Sequence, residues 1–269
     1  MPLLKIKDNE LFWYKITGKG VPLVHIHGSA FGHKNFEKMT PLMAKYFQVI
    51  DFDLPGYGES KSDKKNEGLE GIADQVSDFI KALDFPKVHL HGTSFGAMIG
   101  IVLASKYPEL IERLILSCFL TKYDKAARMM RSTWKRAALD SGMDAVADLT
   151  SVAGFARSFY DRKEADKQLA SMREAFLKTE PMAFVNGTKI IEKSDLSMLA
   201  KKIQAPTLLL AGDEDNMTPF KPSNSGSGMI QFASEIKNCQ IETLAKCGHY
   251  LVIEQPENAS QLITNFLNQ

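Results

Sequence analysis

Residues 92–96 read Gly-Thr-Ser-Phe-Gly, a serine with a glycine two positions away on either side. A serine on a sharp strand-to-helix turn needs small neighbours, because the backbone approaches itself closely there. The apolar run VHLH precedes the serine, and a segment containing Ala97, Gly100 and Ala104 follows it, suited to close packing of a helix on a sheet. A serine hydroxyl is a weak nucleophile at neutral pH, so Ser94 requires a base, and the base requires a group that fixes its tautomer. His249 is the expected base: it sits in GHYLVIEQPE directly after the strand-like IETLAKC, where a loop carries a side chain over the sheet edge. His27, His33, His89 and His91 are its rivals, although His89 and His91 lie in or beside the strand leading to Ser94 and cannot readily turn back onto it. For the orienting acid, TLLLAG runs into Asp213-Glu214-Asp215, and Asp124 follows the strand-like IERLILSCF; the residues alone leave these open. Acyl transfer also needs donors for the developing oxyanion. The amide of Phe95, directly after Ser94, is one, and the amide of Ser29, in the loop of VHIHGSAFGH, is the other.

These side chains have to be presented by regular elements, and the pattern supplies them. LLKIKD and ELFWYKIT predict an opening strand pair, and VPLVHIHG, FQVIDFDLP, KVHLHG, IERLILSCF, APTLLLAG and CQIETLAKCG predict buried strands. Leu69, Ile72, Ala73, Val76, Phe79, Ile80 and Leu83 repeat at helical spacing, predicting a helix from Leu69 to Leu83 that ends before Pro86. Strands alternating with helices indicate an α/β protein with a mostly parallel, eight-stranded sheet flanked by helices. Between about Phe119 and Leu199 the sequence is helical, Met-rich and charged, too long for a plain loop. A helical insertion after the sixth strand is expected, dividing the chain into a core of residues 1–119 and 200–269 and a cap of residues 120–199. SNSGSG (Ser223 to Gly228) is the one flexible-looking tract, and a helix is predicted from Glu257 to Leu267.

Taken in order, HIHGSA, DLPGYGES, HGTSFG, PTLLLAGDEDNMTP and GHYLVIEQPENASQLITNFL resemble the α/β-hydrolase superfamily over nearly the whole chain apart from the insertion. The resemblance implies that Asp215 is the acid, giving the chain order Ser94, Asp215, His249 of that superfamily. It also implies that Asp53 belongs to a structural turn. Within the superfamily the chain looks most like the 3-oxoadipate enol-lactonase branch and related small carboxylesterases. The activity so implied is hydrolysis of a small carboxylic ester or lactone through an acyl-enzyme on Ser94, without metal or organic cofactor. Arg128, Arg131, Trp134 and Arg136 are the residues of the insertion that would meet a substrate carboxylate, with Arg131 and Trp134 the chosen pair. Three other activities fit the same scaffold: carbon–carbon bond hydrolysis of ring-cleavage products, a cofactor-free oxidoreductase or perhydrolase, and ligand binding without catalysis. A pure binder need not keep the serine, acid, base and both oxyanion loops together.

Composition argues against nucleic-acid and membrane partners, leaving the small-molecule ester or lactone that the resemblance implies. With 269 residues, 44% hydrophobic, 24% charged and a formal charge of +1, the chain has no basic excess to hold nucleic acid. Its longest apolar runs, AMIGIVLA and RLILSCFL, fall short of the roughly 20 residues of a membrane helix. MPLLKIKDNE lacks a signal-peptide apolar region, so a cytoplasmic protein is expected, as a monomer or homodimer. Cys118, Cys239 and Cys247 have no ligand spacing and read as reduced, mostly buried thiols. His25 and His27 would share one strand face, but without a nearby carboxylate or cysteine cluster no metal is expected.

Overall fold

Segments buried at every position have no solvent face, and in an α/β protein they become inner strands of a parallel sheet covered on both sides. The computed structural model, which describes residues 3–6, 11–60, 68–222 and 227–269, has this arrangement. Its strands are β1 (Leu3–Lys5), β2 (Leu11–Thr17), β3 (Pro22–Ile26), β4 (Gln48–Phe52), β5 (Val88–Thr93), β6 (Ile111–Ser117), β7 (Thr207–Gly212) and β8 (Cys239–Leu244). They form one sheet in the order β1-β2-β4-β3-β5-β6-β7-β8. The β1/β2 and β2/β4 pairs are antiparallel and every other pair is parallel, so each apolar run expected as a strand is one.

Helices α1 (Thr40–Met43), α2 (Gly68–Ala82) and α3 (Phe95–Lys106) lie among the first six strands. α2 starts and ends one residue before the predicted span and buries Leu69, Ile72, Ala73, Val76, Phe79 and Ile80, the face its periodicity defines. α3 is buried at every residue from Phe95 to Ala104, and Gly100 brings it within contact of Leu90, Leu114 and Leu116 on the sheet. Between β6 and β7 come α4 (Lys125–Asp140), α5 (Met143–Gly154), α6 (Ala165–Leu177) and α7 (Pro181–Lys193). The described residues of this stretch hold no strand, only an isolated bridge from Lys122 to Asp195 and another to Ser227. α8 (Met229–Ala233), α9 (Leu251–Glu254) and α10 (Pro256–Leu267) complete the chain, the last starting one residue before the prediction. Residues 223–226 of SNSGSG lie outside the described residues.

One apolar cluster packs α2 and α3 against the sheet, and a second joins β3, β4, β7 and α10. A third binds the α4–α7 stretch to the loops above the sheet: Trp134, Phe155, Phe159, Phe176 and Phe184 pack with Phe31, Met217 and Tyr250. Among the described residues no helix is long and apolar enough to cross a membrane.

Candidate active site

The turn between β5 and α3 has the strain its sequence implies. Ser94 adopts φ 55° and ψ −115°, a backbone conformation that costs a non-glycine residue about 1–3 kcal/mol and is held only when its surroundings enforce it. Both flanking glycines are sterically required. A Cβ on Gly92 would strike the carbonyl oxygen of Gly96, and one on Gly96 would strike that of Ile26 while lying 2.7 Å from that of His27. The Ser94 amide donates to Ser117 O at 2.8 Å, fastening the turn to the end of β6.

Chemistry-bearing side chains converge on this turn from two other strand ends. His249, five residues after β8, places Nε2 2.9 Å from Ser94 Oγ, and its Nδ1 lies 2.9 Å from Asp215 Oδ2, three residues after β7. All three residues are buried. Asp215 Oδ1 accepts from the amides of Met217 and Thr218, each at 2.8 Å, and Oδ2 accepts from Thr218 Oγ1 at 2.7 Å. Burial alone would raise the Asp215 carboxyl, but the neighbouring His249 and the Thr218 bonds outweigh it and hold the group below its usual range. Thr218 Oγ1 also lies 3.0 Å from His249 Nδ1, so its hydroxyl bridges Asp215 and His249. Sequence reasoning missed this residue; its signal is an Asp followed three positions later by Thr, as in a side-chain-to-backbone turn.

The other acid candidates serve elsewhere. Asp213 accepts from the Cys247 amide, Glu214 from the Arg157 amide, and Asp124 from the Ala127 amide at the start of α4. The rival histidines are likewise engaged. His27 uses Nδ1 on Gly28 O and Nε2 on the Leu54 amide, His33 pairs with Asp53 and stacks on Trp13, and His91 contacts Ser117 Oγ. His89 sits beside the Phe47 ring on the same strand as His91. Asp53 takes the amides of His33 and Glu59, a turn-closing role.

Phe95 is the first residue of α3, where amides point out of the helix without intrahelical partners and the helix dipole favours negative charge. Ser29 lines the cavity beside Ser94, and its Oγ is buried without a hydrogen-bond partner. The cavity is partly open to solvent and lies between Ser94 and His249 on one side and α4, Phe176 and Phe184 on the other. Of the four basic and aromatic candidates on α4, Arg131 and Trp134 line it, whereas Arg128 and Arg136 are exposed. Arg131 is buried with its guanidinium 5.0 Å from the Trp134 ring and one donor 3.2 Å from Tyr123 Oη, and no carboxylate pairs with it among the described residues.

His25 bonds to Asp51, and none of the three cysteines is bonded to another. Among the described residues, the group of His, Cys and carboxylate atoms close enough to share an ion is Cys118, Asp215 and His249, within 4.8 Å of one another.

The alpha/beta hydrolase fold family matches residues 21–256. The 2-hydroxy-6-oxo-2,4-heptadienoate hydrolase of Pseudomonas putida is 25% identical over 265 residues, covering 93% of this chain and 90% of that relative. Among solved structures, the enol-lactonase from Burkholderia xenovorans LB400 superposes with a TM-score of 0.88 at 21% identity, covering 100% of both chains. A thermophilic esterase from Thermogutta terrifontis gives 0.87 at 23%, covering 100% of this chain and 98% of its own. At these identities the structural likeness is one of fold, while the family match spans most of the sequence: the chain belongs to the α/β-hydrolase family.

Proposed function

We propose that the chain is a serine hydrolase that cleaves a carboxylic ester or lactone of a small, carboxylate-bearing molecule through an acyl-enzyme on Ser94. The observation that carries this reading is the continuous hydrogen-bond relay from Ser94 Oγ through His249 to Asp215, opening on a cavity that contains an unpaired arginine. In the first half-reaction His249 Nε2 takes the hydroxyl proton as Ser94 Oγ attacks the carbonyl carbon. The amides of Ser29 and Phe95 receive the oxyanion, and His249 then returns the proton to the departing alkoxide oxygen. Water attacks the acyl-enzyme in the second half-reaction, losing its proton to the same nitrogen, and the product carboxylate leaves with Ser94 restored. Asp215 stays ionised throughout, holding the tautomer in which Nδ1 carries the proton. The relay calls for no metal or organic cofactor.

In this reading residues 1–119 and 200–269 form the catalytic core and residues 120–199 the cap that roofs the substrate. Arg131 and Trp134 hold the substrate carboxylate, because a buried guanidinium without a counter-ion is costly and a bound anion would neutralise it. The activity named for the Pseudomonas putida relative favours a second reading, in which the same three residues hydrolyse a carbon–carbon bond of a ring-cleavage diketone acid. A rate panel over p-nitrophenyl esters, small lactones and ring-cleavage diketone acids, with mass spectrometry of the quenched protein, distinguishes them. An acyl adduct that forms from esters or lactones and is absent in Ser94→Ala supports the first reading; turnover confined to the diketones supports the second. Tight ligand binding with no turnover in any class would refute both.

A further inference from the structure

The segment from Gly154, the last residue of α5, to Arg162, before α6, lies across the loops that carry both the base and the acid. Gly154 O accepts the amide of His249 at 2.6 Å. Glu254 Oε2 accepts the amide of Gly248, the residue before the base, at 3.0 Å and that of Ala156 at 3.3 Å. The next amide in the segment, that of Arg157, goes to Glu214, the residue before the acid, at 3.2 Å. Arg162 closes the far end, donating to Glu254 O at 2.5 Å and pairing with Glu254 Oε1 at 3.5 Å. The approach of the two backbones is close enough to exclude side chains. A Cβ on Gly248 would strike Gly154 O and lie 2.7 Å from Ala156 N, while one on Gly154 would crowd the side chains of Tyr250 and Met217. Phe155 packs edge-on to Tyr250, the residue after the base, at 5.0 Å between ring centres.

None of residues 154–162 lines the cavity, so this segment has no direct access to a substrate bound beside Ser94. It nevertheless accepts the amide of the base at Gly154 O, shares with the amide next to the base the carboxylate of Glu254, and donates to the side chain next to the acid. We propose that residues 154–162 are a positioning strap for the hydrolytic relay, a part of the helical insertion that sets the alignment of His249 with Ser94 rather than the choice of substrate. The proposal rests on the reading of Ser94, His249 and Asp215 as the catalytic relay. Glu214, Glu254 and Arg162 then act through the loops they fasten. A misplacement of about 1 Å at a catalytic group is enough to lower a rate by about 100-fold, so a strap with this many attachments has leverage on turnover.

The test uses a fluorophosphonate probe, which reports on the relay without needing the natural substrate. Ser94 Oγ bonds to phosphorus, fluoride leaves, and His249 takes the hydroxyl proton. Arg162→Ala removes both bonds from Arg162 to the buried Glu254, and Glu214→Ala removes the partly exposed bond to the Arg157 amide. The expected result is that Glu214→Ala keeps its thermal midpoint, that both variants keep probe affinity but phosphonylate Ser94 about 10-fold or more slowly, and that Arg162→Lys restores much of the rate and any midpoint lost in Arg162→Ala. In ester turnover the same loss should fall on kcat and leave KM near that of the parent. Parent-like phosphonylation in Arg162→Ala and Glu214→Ala would overturn the strap while leaving the Ser94 reading intact. Failure of the unmodified protein to label at Ser94 would overturn the relay, and the strap's role with it. A slowed rate accompanied by an equal fall in probe affinity, or by a lowered thermal midpoint that Arg162→Lys does not repair, would reduce the segment to structural packing.

Discussion

Arg131→Met separates recognition from stability, because the two should move in opposite directions. The substitution keeps an unbranched stem beside Trp134 and removes the guanidinium of a residue that is 4% exposed, whose one side-chain hydrogen bond goes to Tyr123 Oη. A hydrogen bond between charged groups contributes about 1.5–3 kcal/mol, more than a neutral one. At about 1.4 kcal/mol per tenfold, losing that contact to a substrate carboxylate lowers kcat/KM by roughly 10- to 150-fold. The ligand-free protein loses a buried charge with no counter-ion, so its thermal midpoint should hold or rise. A matched pair of substrates reads the effect: the p-nitrophenyl ester of butyrate and the mono-p-nitrophenyl ester of succinate, equal in chain length and leaving group and different in the terminal carboxylate. The succinate ester should lose selectively against the butyrate ester. Equal losses on both, or a midpoint several degrees lower with selectivity unchanged, would show that Arg131 is a structural residue and would refute carboxylate recognition.

Three further outcomes follow from the same geometry. Asp215→Asn should lower kcat by about 10⁴-fold by favouring the wrong tautomer of His249, whereas Asp213→Asn should cost little; kinetics giving the reverse order would identify the wrong carboxylate. Gly96→Ala forces a Cβ onto the backbone of Ile26 and His27, so its thermal midpoint should fall by several degrees, and a parent-like midpoint would mean that the turn is not under this constraint. Burial keeps His27 and His91 below the ordinary value of 6.5 and lowers His89 to about 4. As pH falls below 6.5 the unfolded chain therefore binds these protons first, and stability present at neutral pH should be lost progressively towards pH 4. A thermal midpoint that stays flat over that interval would contradict the burial of these rings.

The strands were legible because their burial is written locally, in runs such as TLLLAG that have no polar face to present. The turn at Ser94 was legible for a related reason: its two glycines are required by contacts within a few residues and with the adjacent strand. His249 could be chosen by its place after β8, whereas Asp215 among its acidic neighbours followed only from the family resemblance. The distinction between them is tertiary, since Asp213 and Glu214 point their carboxylates at the amides of Cys247 and Arg157. Arg131 and Arg128 differ by three positions on α4, and only the packing of Tyr123 and Trp134 around the helix decides which is enclosed. Gly154 and Gly248 are 94 positions apart, and nothing in either neighbourhood announces that their backbones touch.

The bond from the His249 amide to Gly154 O also bears on how this scaffold can be recombined. Exchange of the whole segment between β6 and β7 with that of another hydrolase is an obvious route to new selectivity, and here it would remove the carbonyl on which the histidine's backbone rests. A graft that takes α4, α6 and α7 from a donor but retains Gly154 to Arg162 from the recipient keeps that support. The boundary between what can be transplanted and what must be inherited therefore runs through the insertion rather than around it.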